Sequence, residues 1–242
     1  STKCKSLSKG DKMIDSLSYY IRTPQNENAC AAIDKLNGAS ATPIKVIIKG
    51  PHYSGKSALV RGVGEDAIRN GAEMMLFTCS GFDIAMALAQ EADDSFFERL
   101  GETPSLIIDD IAGLKKVDKG DHLLKLLIEE RNRLGLSTAI TTTEDITEAD
   151  FPLSAEPLSK FEIIEIQPID NNGRAQFVKM VENAKRKENS PRLATETVDY
   201  IANEFAKSFF DMEAATRYFM EDKDCAKFTE IDINTARKLL EK

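Results

Sequence analysis

The stretch Ile44–Val60, IKVIIKGPHYSGKSALV, decides the fold. Its opening, IKVIIK, reads as a buried strand that stops at Gly50, and its close, GKSALV, opens a helix. Between them the spacing Gly50-x-x-x-x-Gly55-Lys56-Ser57 is that of a phosphate-binding loop. Such a string arises by chance in about one chain in a hundred of this length, so the strand before it and the helix after it carry the reading. Residues Gly50, Pro51, His52, Tyr53, Ser54, Gly55, Lys56, Ser57 and Ala58 form the candidate cradle. Backbone N–H groups would wrap the phosphates, the helix N-terminus adds positive potential, Lys56 reaches the outer oxygens and Ser57 ligates Mg²⁺. His52 and Tyr53 occupy variable positions of the loop and flank the phosphates.

The rest of the chain suits such a loop. It has 242 residues, 30% charged and 42% hydrophobic, enough for one α/β core and a small second domain. No apolar run approaches the roughly 18 residues that cross a bilayer, and the N-terminus lacks a signal-peptide core, so a cytoplasmic protein without a membrane partner is expected. Cys4, Cys30, Cys79 and Cys225 are too scattered for a zinc site and read as free thiols. The formal net charge of −8 opposes a phosphate backbone, so DNA binding is expected to be weak. The basic run with Lys185, Arg186, Lys187 and Arg192 reads as a solvated helix end.

Five short apolar or β-branched runs, 44–50, 73–79, 105–110, 136–143 and 161–168, alternate with helical patterns. This is the signature of an α/β three-layer domain with a five-stranded parallel sheet. The first, third and fourth runs are hydrophobic enough to be buried on both faces, whereas FEIIEIQP alternates and belongs at an edge. From Asn171 onward only helical periodicity appears, with Asp232 as N-cap of the last helix. The expected division is an N-terminal extension 1–19, a nucleotide-binding α/β domain 20–170 and an all-helical lid 171–242.

A phosphate loop needs an acidic partner for its metal. PSLIIDDIAGL supplies one, because the strand ends in Asp109 and Asp110 where open α/β sheets bind ligands. Asp109 is expected to hold Mg²⁺ and Asp110 to polarise the attacking water. Met74, Met75, Phe96 and Phe97 read as packing residues. Arg131 and Arg133 read as an exposed helix end or as groups facing a neighbouring subunit.

Taken in order, the phosphate loop, LIIDDI, a Thr-ending strand, LSKFEIIEIQPID and a helical end closing on IDINTARKLLE resemble the AAA+ ATPases. The resemblance is to the replication-initiator branch that includes DnaA and its regulator Hda, and it runs from Tyr20 to the C-terminus. It implies ATP or ADP with Mg²⁺ as ligands, an adenine pocket at Tyr20 and Ile21, and another initiator-like AAA+ protein or a second copy as partner. It also implies three phosphate-sensing positions, and the chain departs from the pattern at each. Thr143 stands where the family has Asn or Asp, and Lys160 stands where it has an arginine finger. Phe210 stands at the lid arginine, with Lys207 and Arg217 as the nearest basic residues. Lysine lacks the bidentate fork of arginine, so slow or partner-dependent hydrolysis is expected.

The stretch 82–100 lacks the lysine and basic charge expected of a single-strand-binding segment. No clamp-binding peptide is visible near the N-terminus, and no origin-reading domain is expected. The implied function is a nucleotide-dependent regulator of replication initiation. A helicase loader of the DnaC type and a DNA-dependent ATPase of another branch are the alternatives.

Overall fold

A computed structural model describes residues 21–37, 42–60, 62, 76–80, 98, 100–112, 120–143 and 155–240. The N-terminal extension 1–19, Tyr20, Met74, Met75, Phe96 and Phe97 lie outside the described residues, as does most of the stretch 82–100.

Five strands form one sheet: β1 (Lys45–Lys49), β2 (Leu76–Ser80), β3 (Ser105–Asp109), β4 (Ser137–Thr142) and β5 (Glu162–Glu165). Their order is β2-β3-β4-β1-β5 and every pair is parallel. Four of the expected apolar runs contain their strands, and the run 73–79 overlaps β2, which begins at Leu76 and extends one residue further to Ser80. β1 is buried at its centre, β3 throughout and β4 after its first residue, the pattern of strands covered on both faces. Among the described residues β5 pairs only with β1, and it is largely exposed, with Ile163 facing solvent, as its alternation implied. The parallel register aligns the carboxyl ends of β1, β3 and β4 on one side of the sheet.

Helix α1 (Glu27–Asn37) seals one face. Its Ala29, Cys30, Ile33 and Leu36 pack with Val46, Ile48, Leu59, Ile107 and Ala139. Burial, with Asp34 adding to it, pushes the Cys30 thiol up to about 12, so it sits in the core as a neutral, unreactive group; Cys225 is likewise unpaired and buried. Helix α2 (Gly120–Leu134) leads into β4 and carries Arg131 near its end. Arg131 departs from both readings of the sequence, because it is fully buried. Its guanidinium donates to the carbonyls of Leu100 (2.6 Å), Thr103 (2.8 Å) and Ser137, and its Nε to Thr138 Oγ1 (2.9 Å). One planar donor set thus clamps the starts of β3 and β4, a task hidden in the sequence because its acceptors are mostly main-chain groups. Arg133 stays exposed and pairs with Glu130 (2.5 Å).

Short helix α3 (Ala155–Leu158) precedes β5, and after β5 the chain becomes helical. Helices α4 (Asn171–Lys185), α5 (Thr195–Glu204), α6 (Phe209–Glu221) and α7 (Ile233–Leu240) enclose a second core that includes Phe177, Val181, Ile201, Met212 and Phe219. Three N-caps fix helix starts. Asp170 accepts from Gly173 N (2.8 Å), Ser208 from Asp211 N (3.0 Å) and Asp232 from Thr235 N (2.7 Å). The unit is not wholly helical: β6 (Arg192–Leu193) and β7 (Glu230–Ile231) form a parallel pair. Two residues a side are too few to leave a periodic trace in the sequence.

The basic run is also partly spent inside this unit. Lys185 is buried and Arg186 is bound to the buried Glu182, which also takes Lys179 (3.3 Å) and the Leu193 N–H (2.9 Å). Among the described residues, no helix is long and apolar enough to cross a membrane.

Removing a buried, fully bonded charge strands its acceptors. Arg131→Met is therefore expected to lower unfolding free energy by about 1–3 kcal/mol or more, the cost of leaving a buried acceptor unsatisfied, measured by urea denaturation. Arg133→Ala should leave the midpoint unchanged.

Candidate functional site

The loop after β1 is shaped by close approaches. Gly50 N–H donates to Thr142 O (3.2 Å), extending the β1–β4 ladder by one residue. A Cβ at Gly50 would sit 2.6 Å from Ile166 O, so only glycine fits. Ser54 N–H closes a turn on Pro51 O (3.3 Å), and both Tyr53 (φ 65°) and Gly55 (φ 90°) adopt the left-handed region. For glycine that conformation is free, whereas for tyrosine it costs about 1–2 kcal/mol, a strain typical of functional loops. Residues 56–60 and 62 are helical, and the Leu59 N–H bond to Gly55 O (2.8 Å) fixes the first turn.

Lys56 is buried under this loop. Its Nζ donates to Gly50 O (2.7 Å), Pro51 O (2.8 Å) and Ser54 Oγ (3.3 Å). Burial pushes its pKa below the ordinary lysine value, and the charges of Asp109 and Asp110 work against that shift. Beside it, Asp109 Oδ1 accepts from Ser57 Oγ (3.1 Å) and from Thr141 Oγ1 (2.7 Å). The Thr141 hydroxyl accepts in turn from Asp110 N–H (2.8 Å), which holds Asp110 in a left-handed conformation (φ 55°).

These groups line a cavity of about 340 Å³ with two walls. The sheet side supplies Lys56, Ser57, Asp109, Asp110, Thr141 and Thr143. The C-terminal unit supplies Phe177, Lys207, Phe209, Phe210 and Glu213. A larger groove, about 760 Å³, runs along α4 and α5 but contains no residue of the loop, so the smaller cavity is where the chemistry converges.

Most residues singled out in the sequence meet here. His52, Tyr53, Gly55, Ala58, Asp110 and Thr143 line the cavity with Lys56, Ser57 and Asp109. Gly50, Pro51 and Ser54 stand behind it and shape the loop. Ile21 does not line it; the residue packs against the core of the C-terminal unit, and its carbonyl accepts from Asn26 Nδ2 (2.8 Å). Lys160 is exposed at the opposite end of the strands, beside Lys45, whose pKa falls through burial first and the charge of Lys160 second. Phe210, 77% exposed, and Lys207 line the cavity, whereas Arg217 is engaged by Glu213 (3.7 Å) and Glu221 (3.4 Å).

The sequence reading missed Thr141, Phe177, Phe209 and Glu213. Thr141 was within reach, because period-two alternation puts it on the same strand face as Thr143. The others depend on how two units meet, and no local pattern encodes that.

The site fits a nucleotide with Mg²⁺. A buried ammonium and helical N–H groups suit phosphates, and the hydroxyl and carboxylate oxygens around Asp109 suit a hard divalent cation.

No protein-family model matches the sequence, and no curated protein does. Solved structures do. Domain III of the replication initiation protein DnaA from Thermotoga maritima superposes with a TM-score of 0.71 over 92% of this chain and 93% of that one, at 16% identity. The fold is that of DnaA domain III. A second DnaA structure, bound to AMPPCP and single-stranded DNA, gives a TM-score of 0.65 at 19% identity over 84% of this chain and 63% of that one. A point variant of RuvB from Thermotoga maritima gives 0.62 at 16% identity over 90% of this chain and 67% of that one. The same fold is found in RuvB, and at these identities the likeness concerns the fold. The chain spans about two thirds of the longer DnaA and RuvB structures.

Thr141→Val removes one of the two hydroxyls on Asp109 and leaves Asp110 N–H without its acceptor. A hydrogen bond to a charged group contributes about 1.5–3 kcal/mol. Mg²⁺-dependent binding of ADP should therefore weaken by about tenfold or more, with little change in its Mg²⁺-free component, as read by calorimetry.

Proposed function

We propose that this protein binds ATP or ADP with Mg²⁺ and acts as a nucleotide-dependent switch in replication initiation, hydrolysing ATP slowly or only with a partner. The observation that carries this reading is the convergence of Lys56 and the Ser57–Asp109–Thr141 cluster at the end of β1, β3 and β4. The AMPPCP bound by the DnaA neighbour supports a nucleotide in this fold.

Each residue has a task in this scheme. The loop N–H groups orient the polyphosphate, and Lys56 exchanges its bonds to Gly50 O and Pro51 O for phosphate oxygens. Ser57 and Asp109 would hold the metal, which would draw charge from the phosphate oxygens. Asp110 faces the cavity as an exposed residue and is placed to orient water.

What supports slow turnover is the rest of the wall. Thr143 is a neutral hydroxyl, Phe210 brings no charge, and Arg217 is held by two glutamates. Lys160 does not reach its own cavity; from the far end of the strands it would act only on a neighbour, as a point charge. The partner in this reading is another initiator-like AAA+ protein or a second copy, in a cytoplasmic setting. Domain boundaries near 170 follow from it, with residues from 171 acting as a lid on the nucleotide.

A second reading, a DNA-dependent ATPase or a helicase loader, draws support from the single-stranded DNA bound by the DnaA neighbour. Phosphate release from ATP separates the two. The switch reading expects turnover well below about 1 s⁻¹, under the usual enzyme range, and indifferent to DNA. Brisk turnover raised by DNA would favour the second. In either case Lys56→Ala should cut nucleotide affinity by about 100-fold, from lost charge-assisted hydrogen bonds, with the fold retained by circular dichroism.

A further inference from the structure

The segment from β5 to α4 passes directly against the phosphate loop. Ile166 N–H donates to Lys49 O (2.8 Å), and the Ile166 carbonyl is the group 2.6 Å from the place a Gly50 Cβ would take. Three residues on, the buried Ile169 reaches both ways. Its Cδ1 lies 3.7 Å from the Cβ position of Gly55, and its Cγ2 fills the space that a Cβ on Gly173, in the first turn of α4, would need. Gly173 lacks the left-handed conformation of Gly55, so space and not backbone freedom requires glycine there. A glycine inside a helix costs about 1 kcal/mol against alanine, and here it admits Ile169.

The same segment is fastened on its other side. Asp170 caps α4 and accepts from Gln25 Nε2 (3.3 Å). Arg174 Nη1 donates to Ile169 O (2.6 Å) while its Nε donates to Ala202 O (2.9 Å) on α5. The carbonyl of Ile169 is thus tied to α5 while its side chain stands between two glycines, one in each unit. Close-packed contacts of this kind switch between arrangements more readily than they stretch. Phe209 also approaches Gly55, 3.4 Å from its Cβ position, but Phe209 lines the cavity and Ile169 does not.

We propose that Ile169 is a positioning residue that couples the phosphate loop to the C-terminal helical unit, so that a nucleoside di- or triphosphate on the loop shifts that unit through Gly55, Ile169 and Gly173. The inference rests on the nucleotide-binding reading and adds its means of regulation. Coupling of this kind is reciprocal, so disturbing Gly173, which does not line the cavity, must change affinity at the loop.

The test combines ADP calorimetry with hydrogen exchange in α4, α5 and α6, each with and without MgADP. In the wild-type chain, ADP should alter exchange in these helices. Gly173→Ala forces a Cβ onto Ile169 and should weaken ADP by about fivefold or more. Adding Ile169→Ala removes the clashing Cγ2 and should restore affinity to within about twofold of wild type, a rescue that general destabilisation would not produce. Ile169→Ala alone should bind ADP yet leave exchange unresponsive in α5, the helix that contributes no residue to the cavity wall. If that variant does not fold, Ile169→Val takes its place, since it keeps Cγ2 against Gly173 and loses only the Cδ1 towards Gly55; its response should be reduced. An undiminished response in these variants, or wild-type affinity in Gly173→Ala, overturns the coupling and leaves nucleotide binding intact. No ADP binding by the wild-type chain overturns both.

Discussion

The Asp109 carboxylate is the joint on which the site depends. It lies buried at the end of β3, and a carboxylate buried without hydrogen-bond partners would destabilise the fold. Two hydroxyls supply those partners, Ser57 from the loop after β1 and Thr141 from β4. The order β3-β4-β1 brings these three strand ends side by side. The arrangement therefore joins fold to chemistry. The sheet is specified by strands buried on both faces, and its parallel register delivers the ligands of the loop to one edge.

A second constraint works on the loop from below. Gly50 lies under Ile166 O, Gly55 lies against Ile169 and Phe209, and Lys56 is held by main-chain oxygens. The protein's own packing and hydrogen bonds thus define the shape of the loop. The cavity itself is closed by the C-terminal unit, whose Lys207, Phe209 and Phe210 form the facing wall. A ligand that touches both walls would link the two units, which is the physical basis for reading the protein as a switch.

The sheet was legible because its signals are local. IKVIIK, SLIID and STAITT are strand-like on their own, the loop follows the first, and Asp109 closes the second. The helix cap at Asp232 was legible for the same reason. Arg131 was not, because a guanidinium that binds carbonyls of Leu100, Thr103 and Ser137 looks in sequence like any charge at a helix end. Phe209 and Glu213 were invisible as site residues, since they reach the cavity only through the packing of α6 against the sheet unit. Lys160, singled out through the resemblance as a group acting on a neighbour, lies at the opposite end of the strands from its own loop.

The most direct measurement is titration of MgADP into the intact chain by calorimetry, repeated with Asp109→Asn. A carboxylate at the centre of the site predicts saturable binding in the micromolar range or tighter for the wild-type protein. It also predicts that Asp109→Asn loses the dependence on Mg²⁺ while the protein stays folded. No saturable binding by the wild-type chain, or identical Mg²⁺-dependent binding by Asp109→Asn, would contradict it.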